Sequence, residues 1–122
     1  MNYIPAITGT GVFTPKEIIT NAELVVAFNA YVDLYNAEHA AEIAAGTLDA
    51  KAYSSEDFIV KASGIEQRFV MDKTGIRDPK VMHPLFRQRS DDEPSLMAEM
   101  ALEACHAALA QAGRQASDVG AV

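Results

Sequence analysis

The stretch PSLMAEMALEACHAALAQAG, residues 94–113, constrains this chain most, because it combines the signals of a long helix. Pro94 suits the first turn, the preceding acidic residues complement the helix dipole, and Gly113 suits the end. At 100° per residue, small or apolar residues form one stripe: Met97, Ala101, Ala104, Cys105, Ala108 and Ala112. We expect this stripe to pack closely against a sheet or another helix.

Cys105 is the only cysteine of the chain, and His106 directly follows it. Such a pair suggests a nucleophile and its base. However, consecutive residues of a helix point about 100° apart and do not face each other. A reactive thiol also favours an electropositive helix N-terminus, not the middle of an alanine-rich helix. We therefore predict that Cys105 is a buried packing residue and that it does not act as a nucleophile.

The first third of the chain predicts a strand followed by a long helix. Residues Tyr3 to Phe13 are β-branched, apolar and small, and Pro15 ends this predicted buried strand. Thr20 and Glu23 have the spacing of a capping box, and the helix is predicted to end near Gly46. Its apolar residues recur every three or four positions: Leu24, Val25, Phe28, Val32, Tyr35 and Ile43.

The middle of the chain predicts a short helix, a strand and a loop. Ser54 or Ser55 can cap the short helix, and Gly64 suits its C-terminal end. A strand is predicted over Ile65–Met71, and an irregular loop over Lys73–Asp92. The last residues, SDVGAV, turn towards a new strand. This alternation is typical of an α/β domain with a parallel or mixed sheet.

Composition excludes several classes of function. The 122 residues carry a net charge of −7, which opposes binding to nucleic acids and to anionic membranes. No apolar run approaches the ~20 residues that cross a bilayer, and the first residues do not have a signal peptide's pattern. We expect a cytoplasmic protein. One cysteine and three scattered histidines, among them His39 and His83, do not have the spacing of metal ligands.

Two further motifs favour an ordinary structural role. The glycine-rich TGTG, residues 8–11, does not have the spacing of a dinucleotide-binding loop. Arg87 and Arg89 could contact an anionic partner such as a carrier protein, but three acidic residues follow them directly and offset their charge.

The stretch SSEDFIVKASGIEQRF, residues 54–69, combines polar and aromatic groups at one corner. In a functional interpretation, Phe58 stacks on a planar group of a ligand and Lys61 reaches a phosphate. In the structural alternative, the stretch is only the capped end of a helix.

With this corner, the chain resembles the N-terminal part of β-ketoacyl-acyl-carrier-protein synthase III, of the thiolase-like superfamily. The resemblance rests on ITGTGVFTP, TNAEL, DFIVKASGIEQRF and MAEMALEACHAALAQAGRQASDVGAV, which follow in this order. It implies that residues 1–122 are the N-terminal portion of a thiolase-like αβαβα domain, incomplete in this chain.

The resemblance implies that the corner lines the entrance for acyl-coenzyme A (acyl-CoA). Phe58 falls at the position of an aromatic residue that stacks on adenine, and Ser63 falls at that of a threonine. Ala62 occupies a position where arginine is usual, and Lys61 stands one residue earlier. The implied substrate-binding residues are therefore Phe58, Lys61 and Ser63.

Residues 27–53 form an inserted helical segment relative to short-chain starter enzymes of this family. With it, the chain resembles a longer subclass, similar to β-ketodecanoyl synthases, that uses a medium-chain acyl-CoA starter. The insertion could cover the acyl tunnel or lie at the edge of a dimer, and the sequence leaves both open.

The family's Cys nucleophile lies at a helix N-terminus after the third strand, and a His and an Asn come from the second half of the chain. None of these positions falls in residues 1–122, so we expect an inactive fragment of a condensing enzyme. The resemblance implies acyl-CoA, malonyl-acyl-carrier protein, the remainder of the enzyme and a second copy as partners, with a coenzyme A thioester as substrate and no cofactor.

Two alternatives differ from this expectation. The whole protein could be another thiolase-like acyltransferase, such as a long-chain condensing enzyme or a relative of hydroxymethylglutaryl-CoA synthase. The chain could also be a non-catalytic partner subunit that retains this half of the fold.

Overall fold

The computed structural model describes residues 4–120, which belong to two compact units. One unit is Pro15–Arg87, and the other combines the chain before residue 15 with the chain after residue 87. The assignment of residues 1–122 to one domain stays a prediction. No helix among residues 4–120 is long and apolar enough to span a membrane.

The unit Pro15–Arg87 mixes helices with a small sheet. Strand β1 (Glu17–Thr20) pairs antiparallel with β2 (Gln67–Val70), and Glu17 lies opposite Val70. An antiparallel pair can belong to a mixed sheet but not to a purely parallel one. The larger parallel or mixed sheet of the α/β domain stays a prediction. The elements are β1 (Glu17–Thr20), α1 (Asn21–Glu38), α2 (Ala40–Ala44), α3 (Glu56–Ser63), β2 (Gln67–Val70) and α4 (Thr74–Arg77).

Strand β1 was not predicted, whereas β2 confirms the centre of the predicted strand Ile65–Met71. Four residues are too few to show the alternation of a half-buried strand, and in β1 only Ile19 is buried. Its last residue, Thr20, is also the N-cap of α1. The strand therefore leads directly into the helix.

Helix α1 begins as predicted and ends earlier than predicted. The Glu23 amide donates to Thr20 Oγ1 at 3.2 Å, and the Thr20 amide donates to Glu23 Oε2 at 3.1 Å, which completes the capping box. Val32 is fully buried in the core of this unit. At His39 the backbone leaves the helical region (φ −100°, ψ 18°), so a separate helix, α2, follows and the predicted continuous helix to Gly46 is wrong.

Helix α3 confirms the predicted short helix at the corner. Ser55, and not Ser54, is the N-cap, since Ser55 Oγ accepts a hydrogen bond of 3.1 Å from the Phe58 amide. The helix ends at Gly64, whose φ of 69° is the left-handed conformation that favours glycine.

The predicted loop Lys73–Asp92 contains one helical turn, α4, which the sequence pattern does not indicate. The buried Gly75 lies in this turn, where an added Cβ would collide with the backbone of His83. The remainder of the stretch has no helix or strand, as predicted.

In the second unit, α5 spans Leu96–Ala112 and confirms the predicted long helix. Ser95 is the N-cap and accepts from the Ala98 amide at 3.1 Å, so Pro94 precedes the cap instead of lying in the first turn. Gly113 ends the helix with a φ of 63°, as predicted. A short 3-10 turn, Ala116–Asp118, follows, and the predicted strand at Ala121 and Val122 lies outside the described residues.

The predicted buried first strand is wrong in its described part, residues 4–13, and Tyr3 lies outside the described residues. Ile4 and Ile7 are 89% and 88% exposed, because no described strand pairs with this segment to cover them. The Thr10 amide instead donates to Gln111 Oε1 of α5 at 2.6 Å.

Glycines allow this N-terminal segment to lie directly on α5. A Cβ added at Gly11 would overlap the Ala104 carbonyl and lie 2.6 Å from the Ala108 nitrogen, and one at Gly9 would lie 2.9 Å from the Ala112 nitrogen. The predicted packing role of the alanine stripe is confirmed for these three alanines, although the neighbour is neither a sheet nor a helix.

We predict that Gly11→Ala destabilises the protein, because a new methyl group would push the segment off the α5 backbone. The expected cost is about 1–3 kcal/mol in the free energy of unfolding. Gly120→Ala is the matched control, since nothing lies within 4 Å of a Cβ added there. Chemical denaturation of the natural protein and of both variants measures their free energies of unfolding. Equal stability of the two variants would contradict this packing.

Candidate functional site

The unit Pro15–Arg87 contains an apolar pocket of about 570 Å³ between α1, α3 and α4. Three aromatic rings line it, those of Phe28, Tyr53 and Phe58. Aliphatic side chains such as Ile76 complete the wall, and Ser54 supplies a hydroxyl group. None of the lining residues carries a charge, so the pocket suits an uncharged, largely apolar group of a ligand.

Two asparagines of α1 hold the chain that returns along the helix to this pocket. Asn29 Nδ2 donates to the Ser54 carbonyl at 3.1 Å, and the Ser54 amide donates to Asn29 Oδ1 at 2.9 Å. Asn36 makes the same pair of bonds with Lys51, at 3.0 and 2.9 Å. Each side-chain amide therefore replaces the neighbouring strand that this backbone segment does not have.

A third polar residue of the same helix face holds the ring of Tyr53. The Tyr53 hydroxyl donates a short hydrogen bond to Asp33 Oδ1. This bond, together with the negative charge of Asp33, raises the pKa of the Tyr53 hydroxyl. The ring is thus fixed at the pocket although Tyr53 is 65% exposed.

Aromatic rings further along α1 also contact the returning chain. Lys51 Nζ lies 4.3 Å from the ring centroid of Tyr35 and 5.6 Å from that of Tyr31. These are cation–π distances. The Tyr35 ring in turn lies 4.5 Å from the ring of His39, at the end of the helix. The inserted segment therefore folds against its own first helix.

Asp72 holds the opposite side of the pocket. Its carboxylate accepts from the backbone amides of Leu85 at 2.7 Å, Thr74 at 3.1 Å and Gly75 at 3.3 Å. These backbone hydrogen bonds, that of Leu85 foremost, lower the pKa of Asp72. Asp72 thus joins α4 to the loop that contains Met82, and both contribute to the pocket wall.

Glu23 joins α4 to the start of α1. Its Oε1 lies 3.0 Å from Lys73 Nζ and 3.7 Å from Arg77 Nε. The backbone hydrogen bond from Thr20 and the contact with Lys73 lower the pKa of Glu23. The first turn of α1 is therefore held at its cap and by cations at α4.

The structure brings one of the three predicted substrate-binding residues to the pocket. Phe58 lines it and is 66% exposed. Lys61 is exposed on α3, and neither Lys61 nor Ser63 lines the pocket. The Ser63 hydroxyl donates to the Ile59 carbonyl at 2.7 Å and accepts from the Ile65 amide at 3.2 Å, which closes the end of the helix. Binding of a substrate by these three residues stays a prediction.

Cys105 is exposed, so the prediction that it is buried is wrong. The N-terminal segment covers Ala104, Ala108 and Ala112, which are four residues apart, and Cys105 points about 100° away from this line. Cys105 and His106 make no hydrogen bond with each other. The thiol lies inside α5, away from the electropositive N-terminus of that helix.

The remaining polar candidates have local partners. His39 Nδ1 lies 2.5 Å from a carboxylate oxygen of Glu42, and Arg89 pairs with Glu99 and donates to the Pro94 carbonyl. Within residues 4–120, no group of three or more His, Cys, Asp or Glu side chains is placed to hold a metal ion.

Phe28 and Tyr53 are not among the site residues that the sequence predicts. One signal was present: Asn29, Asp33 and Asn36 are spaced four and three residues apart, which places three polar side chains on one face of α1. Their partners, residues 51–54, lie many positions further on, and the spacing does not identify them.

No protein-family model matches the chain. The chain is 52% identical, over 96 residues, to the β-ketodecanoyl-[acyl-carrier-protein] synthase of Pseudomonas aeruginosa. It is homologous to this synthase. The resemblance stated from the sequence is thereby confirmed. The match covers 79% of this chain and 27% of the relative, so the chain spans about a quarter of that protein.

We predict that Asp72→Asn lowers the thermal unfolding midpoint of the natural protein at pH 7. Asparagine keeps one acceptor oxygen, and its NH₂ group faces amides that need an acceptor. Because the pKa of Asp72 is lowered in the folded protein, its carboxylate stabilises the fold at pH values above the ordinary aspartate pKa of about 3.9. This stabilisation disappears as the pH falls through the lowered pKa of the folded state. The difference between variant and natural protein should therefore shrink below pH 4.

Circular dichroism at pH 7 and at pH 3 measures these midpoints. The control is Asp92→Asn, in the exposed turn before α5, which should change little at either pH. A difference for Asp72→Asn that stays constant across this range would contradict the role of the Asp72 carboxylate.

Proposed function

We propose that this chain is part of a fatty-acid condensing enzyme of the β-ketoacyl-acyl-carrier-protein synthase III type. The enzyme would join an acyl-CoA starter to malonyl-acyl-carrier protein. The homology to a β-ketodecanoyl synthase carries this proposal. The aromatic pocket at Phe58 supports it, because Phe58 falls at the implied acyl-CoA entrance.

The proposed reaction has two steps. First, a cysteine thiolate attacks the thioester carbonyl, the acyl group moves to the cysteine sulfur, and coenzyme A leaves as its thiol. Then malonyl-acyl-carrier protein loses CO₂, and the resulting enolate carbon attacks the acyl-cysteine thioester. The new carbon–carbon bond yields a β-ketoacyl-acyl-carrier protein and frees the cysteine.

Within this reaction we assign the chain to substrate binding. Cys105 lies inside a helix and shares no hydrogen bond with its neighbour His106, so we propose that the nucleophile and its helpers lie beyond residues 1–122. The chain alone would then be inactive. The coenzyme A thioester is a substrate, and the reaction needs no cofactor or metal.

We further propose that the whole protein has a thiolase-like αβαβα fold, acts as a homodimer and works in the cytoplasm. The mixture of helices and strands in the described residues is compatible with an α/β fold. These assignments rest on the resemblance to the family.

The first test is condensation by the natural protein, purified at its full length. With octanoyl-CoA and malonyl-acyl-carrier protein, we expect release of CO₂ and a β-ketoacyl-carrier product two carbons longer than the starter, identified by mass spectrometry. Transfer of the acyl group without loss of CO₂ would favour another thiolase-like acyltransferase. Absence of any transfer, in a protein without a further cysteine, would favour a non-catalytic subunit.

The second test is Cys105→Ala in the same protein. Because Cys105 is not proposed to be the nucleophile, we expect acyl transfer within about twofold of the natural rate, a change well below 1 kcal/mol. The rate of acyl transfer is measured by mass spectrometry of the trapped acyl-enzyme. Loss of the covalent intermediate in a folded Cys105→Ala variant would contradict the assignment.

A further inference from the structure

The inserted segment supplies two of the three rings that line the pocket. Phe28 lies near its beginning, Tyr53 is its last residue, and Phe58 faces the same pocket from α3. All three belong to the unit Pro15–Arg87. The insertion therefore forms a wall of the pocket that contains the predicted substrate-binding aromatic residue.

The shape and chemistry of the pocket favour a planar aromatic base over a hydrocarbon chain. Within the described residues Tyr53 and Phe58 are about two-thirds exposed, at 65% and 66%, so this chain by itself leaves the pocket open on one side. A flexible hydrocarbon chain gains most from a closed site that removes it from water on all sides. A purine can stack its apolar faces on these rings and leave its polar edge in water.

One cation next to Phe58, Lys61, is available to a phosphate of such a ligand, while the carboxylate of Asp33 is engaged by the Tyr53 hydroxyl. Lys61 lies three residues after Phe58 on α3, so both side chains lie on neighbouring positions of one helix face. Lys61 makes no ion pair or hydrogen bond within residues 4–120. The acidic residues Glu56 and Asp57 lie in the first turn of this helix, directly before Phe58, and Lys61 lies in its last turn.

We propose that Phe28 and Tyr53 are further substrate-binding residues, which hold the adenine base of acyl-CoA against Phe58. Asp33 is the positioning residue that orients the Tyr53 ring. This inference rests on the proposed use of acyl-CoA. It assigns the inserted segment to the nucleotide end of the substrate, and neither to the acyl tunnel nor to a dimer edge.

The experiment compares two thioesters in the natural full-length protein. Octanoyl-CoA carries the nucleotide, and octanoyl-pantetheine has the same reactive end without it. Tyr53→Leu should raise KM for octanoyl-CoA about five- to tenfold, as expected for the loss of one stacking ring. KM for octanoyl-pantetheine should rise far less than KM for octanoyl-CoA, and the effect should lie in KM more than in kcat. Phe86→Leu, which removes an exposed ring outside the pocket, is the control.

Asp33 is tested through the bond that it makes with Tyr53. Asp33→Ala and Tyr53→Phe each remove this hydrogen bond and keep the ring, so each should raise KM for octanoyl-CoA about two- to fivefold. The double variant should be no worse than either single variant, because both changes break the same bond. Additive effects would overturn the positioning role.

Three results would overturn the inference. Unchanged KM values would mean that the pocket does not contact the substrate, and equal changes for both thioesters would exclude the nucleotide. A change that depends on acyl-chain length would assign the insertion to the acyl tunnel.

A direct binding measurement separates this inference from the proposed function. Isothermal titration of the natural protein with adenosine 3′,5′-bisphosphate should show binding, which Tyr53→Leu weakens about five- to tenfold. Binding without any condensation activity would contradict the proposed function and support the pocket assignment. Absence of binding to an active natural enzyme would overturn the pocket assignment alone.

Discussion

The paired hydrogen bonds from two asparagines of α1 to the returning backbone are the constraint on which the pocket depends. Residues 51–54 have no neighbouring strand, so Asn29 and Asn36 supply both a donor and an acceptor to this segment. An unpaired backbone group away from water costs free energy comparable to a lost hydrogen bond. The two asparagines therefore determine where the segment lies, and with it the position of Tyr53.

Carboxylates serve the same purpose on the other side of the pocket. Asp72 gathers three backbone amides, and Glu23 combines a helix cap with contacts to Lys73 and Arg77. Polar side chains therefore hold both sides of the pocket through bonds to backbone groups or to side chains of opposite charge. The residues that line the pocket between them are mostly apolar. Such an arrangement keeps the pocket's shape without filling its interior with side chains.

Features that depend on neighbours along the chain could be predicted from the sequence. Thr20 with Glu23, Ser55 with Gly64, and the end at Gly113 each involve residues within one or two helical turns. The aromatic residue of the site, Phe58, could be singled out for the same reason, because its surroundings on α3 form one short motif.

Features that depend on distant partners could not be predicted. Residues 4–13 have the composition of a strand, but a strand also needs a neighbouring strand to pair with. Among the described residues no strand pairs with this segment. Cys105 belongs to an apolar stripe, but the exact line of contact is set by Gly9 and Gly11, about a hundred residues earlier. In the same way, the ring of Tyr53 is held by a hydrogen bond to Asp33, twenty residues earlier on α1.

A crystal structure of the natural protein with coenzyme A bound would show whether the inserted segment forms part of the substrate site. We predict that the adenine base lies between the rings of Tyr53 and Phe58, within about 4 Å of each, and that Tyr53 still contacts Asp33. An adenine base bound elsewhere, with the pocket filled by other parts of the polypeptide, would contradict it.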